Sequence, residues 1–111
     1  MYTRLADKLI LVAGDVAASE GVDMSGANAV QVEYTVMSWS GTGTLTFATQ
    51  DTNDSENWKD TLGTQGTGGT ATGAGYNHFK VTGVAAQRVR IKYSLSAGTA
   101  VLSVGINTAL L

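Results

Sequence analysis

The sequence predicts an all-β protein, a β-sandwich or jelly roll of about seven to nine short antiparallel strands. Three observations carry this expectation. Apolar and polar residues alternate with a period of two, above all over Val30–Val36 and Val89–Leu95. Thr and Gly are abundant, at 15 and 14 residues, which favours strands and turns over helices. Turn signals then punctuate the chain at short intervals: Gly14-Asp15, Glu20-Gly21, Ser25-Gly26 and Gly41-Thr42-Gly43. Proline is absent, so Gly, Asn and Asp must make the turns. A length of 111 residues fits one domain, residues 1–111, in which every strand is needed for the core.

Residues Met1 to Val12 are compatible with a short helix, an extended arm or a strand. Leu9-Ile10-Leu11-Val12 favours a buried strand over Lys8–Ala13. A short strand is expected near Gly21–Met24. Ala29 to Trp39 is the clearest long strand, with Val30, Val32, Tyr34 and Val36 inward and Gln31, Glu33, Thr35 and Met37 outward. Trp39 falls on the outward phase. Beyond the Gly41–Gly43 turn, Thr44–Gln50 is expected as its partner, with Leu45 and Phe47 inward. Asp51 to Glu56 is a polar turn, and Asn57–Leu62 a short strand holding Trp58, read as a plug at one end of the sandwich.

Gly63 to Gly75 reads GTQGTGGTATGAG, without a charge or a large side chain. Such a stretch cannot pack a core and is costly to order, so a flexible loop is expected over 63–75. Tyr76–Thr82 is the next strand, with Phe79 and Val81 inward. The last segment, Gln87–Thr108, reads as a hairpin about Ala97-Gly98. Val89, Ile91, Tyr93 and Leu95 face the core in its first strand, and Leu102, Val104 and Ile106 in its second. Its outer face carries the cationic stripe Arg88, Arg90, Lys92.

Charge is sparse, at 14%, and the net charge is −2, which disfavours a nucleic-acid binder that neutralises phosphates. Eight of the nine acidic residues lie between Asp15 and Asp60, and four of the seven basic ones follow Asp60. Separated zones of this kind suit docking on a fixed neighbour or on a second copy. Cysteine is absent, so disulfides and thiolate metal sites are excluded. The apolar run Leu9–Ala13 is too short for a signal peptide or a membrane span. The chain is therefore expected to be made in the cytoplasm and to act without crossing a membrane by this route, and no membrane is expected among its partners.

No catalytic site, metal or cofactor is expected. The single histidine, His78, has no second His or Cys, and no Ser-His-Asp order or matched carboxylate pair accompanies it. Asp51, Asn53, Asp54 and Glu56 could offer oxygens to Ca²⁺, but EF-hand spacing fails, and such residues also build turns. Trp39, Trp58 and the tyrosines are aromatic faces on which a sugar could stack, with Trp39 the better candidate on its outward phase. The residues expected to bind a partner are Arg88, Arg90 and Lys92, Trp39, and the apolar pair Leu110 and Leu111. Met1–Arg4 and Thr108–Leu111 are expected as loosely held terminal arms.

The segment Phe47–Leu62, with its polar turn followed by Asn57-Trp58, resembles discoidin-like and carbohydrate-module-like sandwiches, as does the strand Gln87–Tyr93. The stretch Thr99–Asn107 is similar to small structural proteins of tailed phages. With the low charge and the Gly/Thr/Ala richness, the chain resembles the staple-type capsid decoration (cement) proteins of epsilon15-like podophages. That resemblance implies a virion protein on the capsid exterior, made in the host cytoplasm. It would clamp neighbouring subunits of the major capsid protein, as a homodimer or other homo-oligomer. It brings no catalytic residue. The Gly-rich stretch departs from discoidin-like lectins. The alternatives are a carbohydrate-binding module and another tail or fibre domain.

Overall fold

The computed structural model of the protein describes residues 1–61, 64–65 and 69–111. Among these residues there is no helix, and the strands form two antiparallel sheets packed as a sandwich. Six strands are long: β1 (Tyr2–Val12), β4 (Ala29–Ser40), β5 (Leu45–Thr52), β9 (Gly75–Thr82), β10 (Arg88–Leu95) and β11 (Thr99–Ala109). Five are short: β2 (Val16–Ala18), β3 (Val22–Asp23), β6 (Lys59–Asp60), β7 (Thr64–Gln65) and β8 (Thr70–Ala71). Sheet A runs β1-β11-β4-β9-β7. Sheet B runs β2-β10-β5-β6, with β3 also on β10 and β8 also on β5.

The all-β expectation is met, and so is its core. Val32, Tyr34, Val36, Leu45, Phe47, Phe79, Val89, Ile91, Tyr93, Leu102 and Val104 are all buried. Phe47 of sheet B joins the layers. It stacks on Tyr34 of sheet A with centroids 4.2 Å apart and meets Tyr93 edge-on at 6.1 Å. Such pairs add directional preference to plain area burial.

The pairing differs from the expectation in a systematic way. Neither β4 and β5 nor β10 and β11 form a hairpin, because each pair is split between the two sheets. The Gly41–Gly43 and Ala97–Gly98 turns are therefore arches that carry the chain from one layer to the other. Alternation records which face a strand buries, and that is the same whether its sequence neighbour lies beside it or across the core. The two arches pack against each other: a Cβ on Gly41 would stand 2.8 Å from the Gly98 Cα.

Trp39 is also corrected. The β4–β11 register shifts where Val101 faces Ser38 and Leu102 faces Val36, leaving Met37 as the extra residue of a bulge. One extra residue reverses the phase of everything beyond it. Trp39 consequently pairs with the fully buried Ala100, packs against the core and donates its indole N–H to the Gly41 carbonyl at 3.2 Å.

The N-terminal strand begins at Tyr2, well before the expected Lys8. Tyr2–Arg4 is thus part of sheet A, and the Met1 ammonium donates to the Thr108 carbonyl at 2.7 Å. A bulge at Asp7-Lys8, with Lys8 at φ 54°, is held by Ser103, whose hydroxyl accepts from the Lys8 N–H and donates to Asp7. The run Leu9–Val12 alternates: Leu11 is buried, whereas Ile10 and Val12 are exposed. Within the stretch expected as a flexible loop, Thr64–Gln65 pairs with β9 and Thr70–Ala71 with β5. Residues 62, 63 and 66–68 lie outside the described residues.

Candidate functional site

Three surfaces present chemistry, and the sandwich distributes them. The first is the outer face of sheet B, where the cationic stripe stands. Arg88 and Arg90 are half-buried and engaged within the fold. Arg88 donates to the Gly21 carbonyl at 2.6 Å. Arg90 donates to Gln50 at 3.0 Å, and its guanidinium carbon lies 4.3 Å from the centre of the Trp58 ring. Trp58 therefore covers the outer face of sheet B and does not plug an end of the sandwich. Gly21 permits this closure, since a Cβ there would meet Trp58 at 2.9 Å and Arg88 at 3.0 Å. Lys92 stands between the small residues Ala18 and Ala48 on neighbouring strands.

The second surface is apolar and lies at both ends of β11 on sheet A. At one end Ile10, Val12 and Met37 are exposed, with Ile10 in register with Val101 and Val101 with Ser38. At the other, Leu110 and Leu111 are exposed at 76% and 73%. These leucines are not a loose arm. Asn28 binds the Leu111 backbone through both halves of its amide, accepting from its N–H at 2.9 Å and donating to its carbonyl at 3.3 Å. The two ends are separated by the length of β11, about 30 Å at the rise of a strand.

The third surface is the middle of the outer face of sheet A. Arg4, Gly105, Glu33 and His78 form one cross-strand row, and Thr35 pairs with Tyr76 in the next. Gly105 leaves a gap in this face, over which the phenol end of Tyr2 lies. The Tyr76 hydroxyl donates to Glu33 at 3.0 Å, and the Tyr2 phenol interacts with the same carboxylate. Both phenols are held above their ordinary pKa, chiefly because losing the proton would remove that bond and face the carboxylate. His78 is exposed beside Gln31, with 3.4 Å between Nδ1 and the amide nitrogen.

The acidic turn closes on itself. The Asp54 carboxylate accepts from the Asn57 N–H, the Asn57 amide, the Glu56 N–H and the Thr52 hydroxyl, at 2.6–2.9 Å. These bonds, led by the Asn57 N–H, hold its pKa far below the usual carboxylate range. Among the described residues no cluster of three His, Cys, Asp or Glu could hold a metal ion.

The chain matches the SPBc2 prophage-derived protein YomS with a TM-score of 0.56 and 10% identity, over 96% of this chain and 92% of that one. The likeness is one of fold. No family model and no curated protein matches the sequence.

Of the six residues singled out in the sequence, the structure brings Arg88, Arg90 and Lys92 together on sheet B. It turns Trp39 to the core and sets Leu110 and Leu111 at the far end of sheet A. Glu33, Ile10 and Val12 are not singled out by the sequence, and Tyr2 and Tyr76 enter only collectively, among the tyrosines on which a sugar could stack. Glu33 was legible as outward-facing, but its convergence with Tyr2 and Tyr76 depends on the β1-β11-β4-β9 order.

Proposed function

We propose that this protein is a phage virion component that decorates the outer surface of the capsid and bridges neighbouring major capsid subunits. The observation that carries this reading is the pair of exposed apolar ends on sheet A: Ile10, Val12 and Met37 at one, Leu110 and Leu111 at the other. A bridging protein needs two contact regions on one rigid body, and β11 separates these by about 30 Å. Exposed apolar groups of this kind gain most when a partner covers them. The fold shared end to end with a prophage-derived protein supports a phage origin. Stabilisation would follow from mass action, because a ligand that binds only the assembled shell disfavours its dissociation. Symmetric copies, including a homo-oligomer on the shell, would let modest contacts suffice.

The test is co-sedimentation with shells of the phage that encodes it, followed by heating of the shells. Wild type should sediment with shells and raise their dissociation temperature. A variant with Ile10→Lys and Met37→Lys, or one with Leu110→Ser and Leu111→Ser, should lose that thermal protection. Wild-type protein left in the supernatant would exclude the proposal.

A further inference from the structure

We infer that the Tyr2–Glu33–Tyr76 cluster on the outer face of sheet A is a binding site for a neutral saccharide. The inference is independent of the capsid reading and involves neither tryptophan. Three features converge on it.

The first is exposed aromatic surface on a rigid support. Tyr76 is 61% and Tyr2 47% exposed; the Tyr76 ring is anchored through its hydroxyl on Glu33, and the Tyr2 phenol rests over Gly105. Anchoring leaves ring surface for the C–H face of a pyranose while little ring freedom remains to be lost on binding. The second is an acceptor with spare capacity. A carboxylate has about four lone-pair positions, and the Tyr76 hydroxyl occupies one of those on Glu33. Adjacent sugar hydroxyls can donate to the rest. Gln31 and His78 stand beside Glu33 and supply further polar groups at the rim.

The third feature is charge balance, which selects among ligands. Arg4 is paired with Asp7 at 3.5 Å, and Lys80 stands in the row next to Glu33, so cationic and anionic groups share this face. A cationic side chain would meet Arg4 and Lys80. An anion would meet Glu33. A neutral polyhydroxyl ligand meets neither penalty. Gly105 keeps the floor low, since any side chain there would displace Tyr2.

The experiment uses the full chain and three probes, maltohexaose, cellohexaose and lactose, at millimolar concentration. Backbone amide shifts are followed by NMR. At least one probe should shift the amides of Tyr2, Glu33, Tyr76 and His78 together, while the amides along β10 stay fixed. Tyr76→Ala and Glu33→Gln should each weaken that binding about tenfold or more, a loss of about 1.4 kcal/mol. The unchanged β10 spectrum shows that each variant is folded. No shift with any of the three sugars overturns the proposal. So does binding that survives both substitutions, or a response only to a lysine peptide. Capsid co-sedimentation is read separately, so failure of either idea is distinguishable from failure of the other.

Discussion

Gly41 and Gly98 touch: a side-chain carbon on Gly41 would stand 2.8 Å from the Gly98 Cα. The contact joins the β4–β5 arch to the β10–β11 arch and closes one end of the sandwich. Gly98 has φ 82°, and a Cβ on it would overlap the Ser40 carbonyl. Gly14 has nearly the same φ, 86°, but nothing within 4 Å of its Cβ position. Both replacements by Ala incur the left-handed backbone cost of about 1–2 kcal/mol. Gly98→Ala should therefore lose at least ~1 kcal/mol more than Gly14→Ala in urea unfolding, because a steric clash with backbone is added. Equal losses would mean that the arches separate freely enough to admit a methyl group.

Ile91 is fully buried at the centre of β10, within the core shared by the two sheets. Ile91→Ala should destabilise the protein by ~2–5 kcal/mol, through lost transfer energy and the cavity left behind. Chemical denaturation with an unchanged slope would report this. A loss below 1 kcal/mol would mean the site collapses to fill the space.

Arg90 and Trp58 should be energetically coupled. The guanidinium lies 4.3 Å from the ring centre and is half-buried under it. A double-mutant cycle of Arg90→Gln and Trp58→Leu should give a coupling of ~0.5–1 kcal/mol. That coupling should respond only weakly to salt, unlike an exposed ion pair. Strong weakening at high ionic strength would point instead to a loosely solvated stripe.

The Asp54 turn should contribute stability in a pH-dependent way. Its carboxylate is held far below the ordinary range by the Asn57 N–H and its neighbours. A group whose folded pKa is depressed stabilises above its unfolded pKa, about 3.9, and the contribution fades as pH falls through the folded value. Asp54→Ala should therefore be less stable than wild type at pH 7, and the difference should narrow progressively below about pH 4. A constant difference from pH 7 to pH 2 would assign the effect to the turn's shape rather than to its charge.

Local alternation was enough to name the inward residues of β4, β5, β9, β10 and β11, because a period of two follows from the pleat alone. It failed beyond Met37, where one bulged residue reversed the phase of Trp39. The bulge depends on which residue of β11 faces which residue of β4, and single-strand periodicity carries no record of that. The run Leu9–Val12 failed for a related reason. Four consecutive apolar residues look buried on both faces, but β1 is an edge strand of sheet A and has only one face against the core.

An all-β sandwich, and the inward residues of its long strands, were legible in the order of the amino acids alone. Those properties arise from steric and solvation preferences that act over a few neighbouring residues. Tertiary packing sends the long strands from β4 to β11 alternately into the two sheets. It alone set Trp58 over Arg90, fastened Leu111 to Asn28, and gathered Tyr2, Glu33 and Tyr76. Each of these joins residues tens of positions apart, and the energy that fixes them is that of packing two sheets and closing their arches.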